Sequence, residues 1–337
     1  MSGPYTQPLV YFFGQGRADG TAAMKDILGG KGAGLAEMTT IGIPVPPGFT
    51  IASSLCLHYL ESNQFPTRLR VEVENNLQRL ETATGKHFGD GDNPLLVSVR
   101  SGAAVSMPGM METILNLGLN NVTVEGLARQ GGNPGFAWDS YRRFVQMYGS
   151  VVFDLSKKPF EHILEEHRQR SGVERDIDLP VDEMRAVVLR FKDHIRAETG
   201  REFPDDPVRQ LWGAIAAVFE SWNTRRAIDY RKLHDIPDSM GTAVNIVAMV
   251  FGNIGEDSGT GVTFSRNPST GERALYGEYL LNAQGEDVVS GSRTPEPIST
   301  LKERLPASYQ ELERVARTLE RHFRDVQDME FTIERGT

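Results

Sequence analysis

Residues 98–120 read SVRSGAAVSMPGMMETILNLGLN. The apolar run leading into them, with Leu95, Leu96, Val97 and Val99, predicts a strand over 95–99 that ends at Arg100. Small residues follow, then a Pro-Gly and the pair Met110 and Met111, and then METILNLGLN, a segment that could turn helical. Pro-Gly is ordinary turn chemistry. It accounts neither for a cation at the lip of a strand nor for so long a run of small residues.

Working outward, 337 residues suffice for two or three domains with cores of their own. A hydrophobic share of 39% and a charged share of 24% are those of an ordinary globular protein. The net charge of −9 argues against a general nucleic-acid binder, although a local basic pocket survives a negative total. Cys56, in IASSLCLHYL, is the only cysteine, so no internal disulfide forms, as suits a reducing cytosol. It reads as a buried small hydrophobe rather than a nucleophile. No apolar run approaches the roughly 20 residues of a membrane span, and MSGPYTQPLVYFFGQGR lacks the basic-then-apolar order of a signal peptide. The expectation is a cytoplasmic protein without nucleic-acid or membrane partners.

The first hundred or so residues read as mixed α/β. A strand (9–13) precedes the cluster ILGGKGAGLAEMTTIGIPVPPGFTI, where Leu35 and Met38 fit a short helix starting near Gly32 and stopped by Pro44, Pro46 and Pro47. Helices are predicted around 53–62 and 68–84. From 122 to about 200 helical patterns dominate, with Tyr141, Phe144, Val145 and Tyr148 at i, i+3, i+4, i+7. Asp206-Pro207 opens a further helix with the stripe Val208, Leu211, Trp212, Ile215 and Phe219. Beyond Gly241 the pattern turns to β: TAVNIVAMVFGN is a buried run, and GTGVTFSRNPSTGERALYGEYLL a hairpin turning at 267–271. Ser308 and Glu311 are spaced as a capping box before Leu312, Val315, Leu319 and Phe323. The chain closes on the strand DMEFTIERG.

Chemistry concentrates at two places. In GGKGAG, Gly30, Gly32 and Gly34 let the backbone approach a ligand, a following helix start offers N–H groups, and Lys31 adds a mobile charge suited to phosphate. The spacing matches neither a Walker P-loop nor a dinucleotide fingerprint, and a plain glycine turn is an equal reading. In the closing strand, side chains alternate, so Met329, Phe331 and Ile333 share one face while Asp328, Glu330, Thr332 and Glu334 share the other. Asp328 and Glu330 then stand roughly 6–7 Å apart at Cα by two strand rises. That spacing allows both to hold Mg²⁺, and a solvated acidic face is the alternative. Asn282, Gln284, Glu286 and Asp287 could reach a metal or ribose, or form a turn. Arg266 reads as support for the hairpin. The seven histidines show no ligand spacing and no Ser/His/Asp arrangement suggests hydrolysis.

Taken in order, GGKGAGLAEMTTIGIPVPPGFT, LLVSVRSGAAVSMPGMMETILNLGLN, DSYRRF, GTGVTFSRNPSTGE, GEYLLNAQGEDVVSG and QDMEFTIE resemble the N-terminal nucleotide-binding domain of the pyruvate, phosphate dikinase family. The likeness runs from about Gly14 to the last residue. Related phosphoenolpyruvate synthases share the Gly-Gly-Lys and Val-Arg-Ser elements but not the SMPGMMETILNLGLN continuation. The resemblance implies an ATP-grasp fold of the α/β (α+β) class, with ATP clamped by two lobes. The first would comprise 1–112 with 198–243, the second 244–337, and 113–197 would be a helical insert.

Carried over, Lys31 and Arg100 would hold the ATP phosphates and serve catalysis, with the loop 106–111 (Ser106, Met107, Gly109, Met110, Met111) folded over them. The strand 247–250, through Met249 and Val250, would meet adenine by its backbone, although Val247 and Ala248 replace the family's usual polar residues. Gln284 would join the nucleotide contacts, and Asp328 and Glu330 would bind Mg²⁺. The implied reaction interconverts ATP, phosphate and pyruvate with AMP, pyrophosphate and phosphoenolpyruvate, through a histidine on a separate swivelling domain that takes the β-phosphoryl group. That phosphohistidine domain and a pyruvate/phosphoenolpyruvate barrel would be the partners, in a full-length homodimer. The family continues past Thr337 into a strand with Leu-Gln-Thr-Arg, so the expectation is an excised, monomeric domain that binds Mg·ATP without completing turnover. A water-dependent synthase of the same architecture and a non-catalytic nucleotide sensor are the alternatives.

Overall fold

The computed structural model describes residues 7–290 and 293–337, without the side chains of Glu286, Val289 and Ser290. The chain forms two units, Met1–Met249 and Val250–Thr337. Both are built on antiparallel sheets with helices, the mixed α/β class that the sequence predicts.

The first unit contains β1 (Val10–Gly14), β2 (Arg17–Ala18), β3 (Gly48–Ile51), β4 (His87–Phe88), β5 (Pro94–Leu95), β6 (Val97–Gly102), β7 (Thr113–Leu117) and β8 (Ala243–Ala248). Six of them make one sheet in the order β2-β1-β3-β8-β6-β7, while β4 and β5 form a short parallel pair. The strand latest in sequence, β8, thus lies in the middle, hydrogen-bonded to β3 on one side and β6 on the other. Its Val244 and Ile246 are fully buried. The lobe boundary expected at 243/244 is therefore corrected: the central strand cannot leave this sheet, and the first unit runs on through Met249.

Two further expectations change here. The strand predicted over 95–99 starts at Val97 and continues to Gly102, so Arg100 sits inside it rather than at its lip. METILNLGLN yields strand β7 and no helix. Thr113 and Ile114 are β-branched and pair with Arg100 and Val99. Burial of Ile114, Leu115, Asn116 and Leu117 on both faces of the strand removes the alternation that would have marked it.

Helices surround this sheet. In Pro134–Val151 the predicted stripe Tyr141, Phe144, Val145 and Tyr148 is buried, and Asn133 caps the helix by accepting from the Phe136 N–H. Asp139 on the same helix is buried, which alone would raise its pKa. The guanidiniums of Arg142 and Arg143 reverse that and hold the carboxyl at about 2. Helix Pro207–Ser221 opens as predicted, with Asp206 accepting from Val208 N–H at 2.9 Å. Its stripe is narrower than expected, because Val208 is 48% exposed while Leu211, Ile215 and Phe219 are buried. Cys56 is fully buried and its thiol is pushed up to about 12, as befits a core residue rather than a nucleophile.

The second unit holds β9 (Gly259–Phe264), β10 (Tyr276–Leu281), β11 (Glu296–Pro297) and β12 (Asp328–Ile333), in the order β11-β10-β9-β12. The hairpin turns where predicted, with Gly271 N–H donating to Asn267 O at 2.9 Å. The proposed capping box is not formed. The long helix Pro306–Phe323 starts two residues before Ser308, since proline is favoured at a first helical position. Ser308 Oγ instead donates to Gly336 O at 2.8 Å, and Glu311 pairs with Arg314. Leu312, Val315 and Leu319 of that helix are buried, but Phe323 is 41% exposed. Among the described residues no helix is long and apolar enough to cross a membrane.

Candidate functional site

In the first unit, strand register places Tyr11, Thr50, Asn245, Arg100 and Thr113 in one line across five strands. Residues directly opposite in a sheet project to the same face. Helix Lys25–Thr40 lies on that face. A methyl group added at Gly32 would stand 2.8 Å from Thr50 Oγ1 and 2.9 Å from Asn245 Oδ1. The helix can come so close because the residue is glycine.

The same helix is broken at Gly29, whose φ of 69° and ψ of 172° are not helical. A Cβ there would be 1.7 Å from Gly102 O, so backbone touches backbone at the end of β6. Helical structure resumes at Gly30, two residues before the predicted start, and Gly30 N–H donates to Ala103 O at 2.9 Å. Lys31 is exposed on this new first turn, and Arg100 is half-buried three residues before Ala103. The break therefore sets a fresh helix N-terminus against the strand that carries the arginine. A helix start and two basic residues thus lie on adjoining elements, and a helix N-terminus with basic side chains nearby is the chemistry of an anion site.

The loop after β6 has defined anchors. Gly109 has a φ of 70°, follows Pro108, and lies in a turn closed by Met110 N–H donating to Met107 O at 3.2 Å, the pattern of a type II turn. Met107 is buried, Ser106 and Gly109 are exposed, and Met110 and Met111 are half-buried. At the far end Glu112 N–H donates to Ser221 Oγ at 3.5 Å, and the Glu112 carboxylate pairs with Arg226. Ser221 Oγ also lies 3.9 Å from Met111 Sδ. Sequence reading missed Thr50, Asn245, Ser221 and Arg226. Only Asn245 carried a signal: it is a polar residue inside an apolar strand run.

Met249 and Val250 follow β8 rather than belonging to it, which corrects the strand expected over 247–250. Met249 N–H donates to Leu96 O at 2.9 Å, closing the first unit, and Val250 opens the second.

In the second unit Asp328, Glu330 and Thr332 are exposed on one face of β12, while Met329 and Ile333 are buried on the other. The predicted alternation is thus the observed one. Glu334 does not continue the open acidic row, because its Oε2 accepts from Phe251 N–H at 2.7 Å. Among the described residues no group of three or more His, Cys, Asp or Glu could hold a metal. Two carboxylates without a third protein ligand still match the habit of Mg²⁺, which keeps several waters and takes one or two carboxylates plus phosphate oxygens.

Gln284 is buried, and its N–H donates to Asp287 Oδ2 at 2.9 Å. Asp287 therefore acts as a helix cap at Gly285–Ser290, the turn reading of that polar run. The Glu286 side chain lies outside the described residues. Arg266 supports the hairpin as expected, with Nε and Nη2 each 2.8 Å from the Glu320 carboxylate. Those bonds hold Glu320 at about 2.

The family model described as the pyruvate phosphate dikinase AMP/ATP-binding domain matches residues 25–75 and 61–309. The pyruvate, phosphate dikinase of Rhizobium meliloti (strain 1021) is 54% identical over 340 residues, covering 97% of this chain and 38% of the relative. That of Clostridium symbiosum is 54% identical over 320 residues, covering 94% and 37%. The chloroplastic enzyme of Mesembryanthemum crystallinum is 52% identical over 326 residues, covering 96% and 34%. The chain thus spans little more than a third of the length of these relatives.

Proposed function

Because the chain belongs to the pyruvate phosphate dikinase AMP/ATP-binding domain family, we propose that it binds Mg·ATP as the ATP half-site of a dikinase. In this reading Lys31 and Arg100 hold phosphates, and the loop 106–111 contributes backbone N–H groups over them. Met249 and Val250 meet the adenine through their backbone, and Gln284 adds a further nucleotide contact. Asp328 and Glu330 hold Mg²⁺, which when bound neutralises phosphate charge. The insert expected over 113–197 is helical only from Thr123 onward, after β7 has completed the sheet.

The observation that carries the reading is the seam where the helix restarting at Gly30 meets β6, with Lys31 on one element and Arg100 on the other. The complete enzyme passes the β-phosphoryl group of ATP to a histidine on a separate domain and from there to pyruvate, with inorganic phosphate as co-substrate. Positioning and charge neutralisation are what this chain supplies. A cytoplasmic setting belongs to the same proposal.

A full-length enzyme containing this chain should consume phosphate and release pyrophosphate in step with AMP. Phosphate release in place of pyrophosphate, with no need for added phosphate, would assign it instead to the water-dependent synthases.

A further inference from the structure

We infer that Asn245 is a positioning residue of the phosphate seam, holding an amide donor in reserve for a bound polyphosphate. The inference rests on the reading of that seam given above. Asn245 is 1% exposed, in the centre of β8, and registered directly opposite Arg100 on one side and Thr50 on the other. Its Oδ1 accepts from Thr50 Oγ1 at 2.8 Å, which fixes the plane of the amide. The other end, Nδ2, is buried and has no acceptor among the described residues. A buried donor without a partner is rare and costly, and it calls for a reason.

Its surroundings supply one. The amide occupies the space that two side chains would otherwise take. A Cβ on Gly32 would stand 2.9 Å from Asn245 Oδ1, and a Cβ on Gly102 would stand 2.5 Å from Nδ2. Gly32 belongs to the helix bearing Lys31, and Gly102 ends the strand bearing Arg100. Gly102 is also the residue whose carbonyl touches Gly29, at the break that creates the helix N-terminus. Asn245 therefore spaces the two phosphate-binding elements, and its unused N–H lies at the seam where they meet. A polyphosphate oxygen, or the water it orders there, completes the bond. The amide is neutral, so it adds a donor without placing an anion beside the phosphates.

The test is a titration of the chain with inorganic tripolyphosphate, which isolates phosphate recognition, and in parallel with adenosine, which carries no phosphate. Asn245→Ala should weaken tripolyphosphate about tenfold, the effect of one hydrogen bond to a charged group, and leave adenosine within about twofold. Asn245→Asp, nearly isosteric, should weaken tripolyphosphate further, since it sets a carboxylate against the anion. Thr50→Val keeps the side-chain shape but releases the amide, and should give a smaller loss with the same selectivity. It serves as the test if the Asn245 variants do not fold. Equal losses for both ligands, or unchanged tripolyphosphate affinity in a folded variant, would overturn the inference. Arg100→Ala separates this from the wider reading: tripolyphosphate binding lost there but intact in the Asn245 variants refutes the Asn245 role alone. A parent chain that binds no tripolyphosphate refutes both.

Discussion

Arg100→Ala in a full-length enzyme should reduce kcat/KM for Mg·ATP by about 10²–10³, the usual cost of removing one preorganised donor from a developing phosphoryl charge. The effect should be confined to chemistry. Arg100 lies within β6, whose ladder is held by β7 on one side and β8 on the other, so the backbone keeps its place when the side chain is cut back. Arg100 as a residue is half-buried and is not part of the apolar core. Glu330→Ala should produce a loss of similar size by a different route, removing one of two exposed carboxylates proposed for Mg²⁺. Steady-state assays of pyrophosphate formation, with melting temperatures as a fold control, check both. Turnover within threefold of the parent in each variant would favour a module that senses nucleotide without catalysis.

Gly29→Ala should damage the fold itself. Its φ of 69° lies in the left-handed region, which costs a side-chain-bearing residue about 1–2 kcal/mol. The larger problem is that the new Cβ would fall 1.7 Å from Gly102 O, and neither backbone is the end of a flexible side chain that could yield. A loss of more than about 3 kcal/mol is expected, by overpacking added to backbone strain. Gly34, four residues after Gly30 in the same helix, is the natural control. Nothing lies within 4 Å of a Cβ placed there, so Gly34→Ala should stabilise the helix by roughly 0.5–1 kcal/mol. Urea unfolding of the two variants separates a glycine required by close approach from one that merely sits in the sequence motif. Equal stabilities would remove the argument that Gly29 creates the seam.

Much of this is legible in the sequence. The alternation along 328–333 placed Asp328 and Glu330 on one open face because period-two patterns survive wherever one side of a strand is wet. The stripe at Tyr141, Phe144, Val145 and Tyr148 was equally readable, since a helix with one buried face keeps its own period. Strand β7 was not readable. Buried on both faces, it shows neither period, and its identity comes from long-range pairing with β6. The position of β8 in the middle of the first sheet was hidden for a related reason. It follows its neighbours β3 and β6 by more than a hundred residues, and no local pattern records such a return. The glycine cluster named the right element, but the decisive residue was Gly29 rather than Gly34. Which glycine bears the close contact depends on the strand that approaches it. Asn245 and Thr50 meet across 195 residues of sequence, so their hydrogen bond could not be inferred at all.

The most direct test of the central claim is a calorimetric titration of this chain with ATP in the presence of Mg²⁺, repeated in EDTA. Saturable one-to-one binding that weakens sharply on chelation, and disappears in Arg100→Ala, is the predicted result. A well-folded chain that shows no saturable ATP binding, or binds ATP equally well with Arg100 replaced and the metal removed, would contradict it.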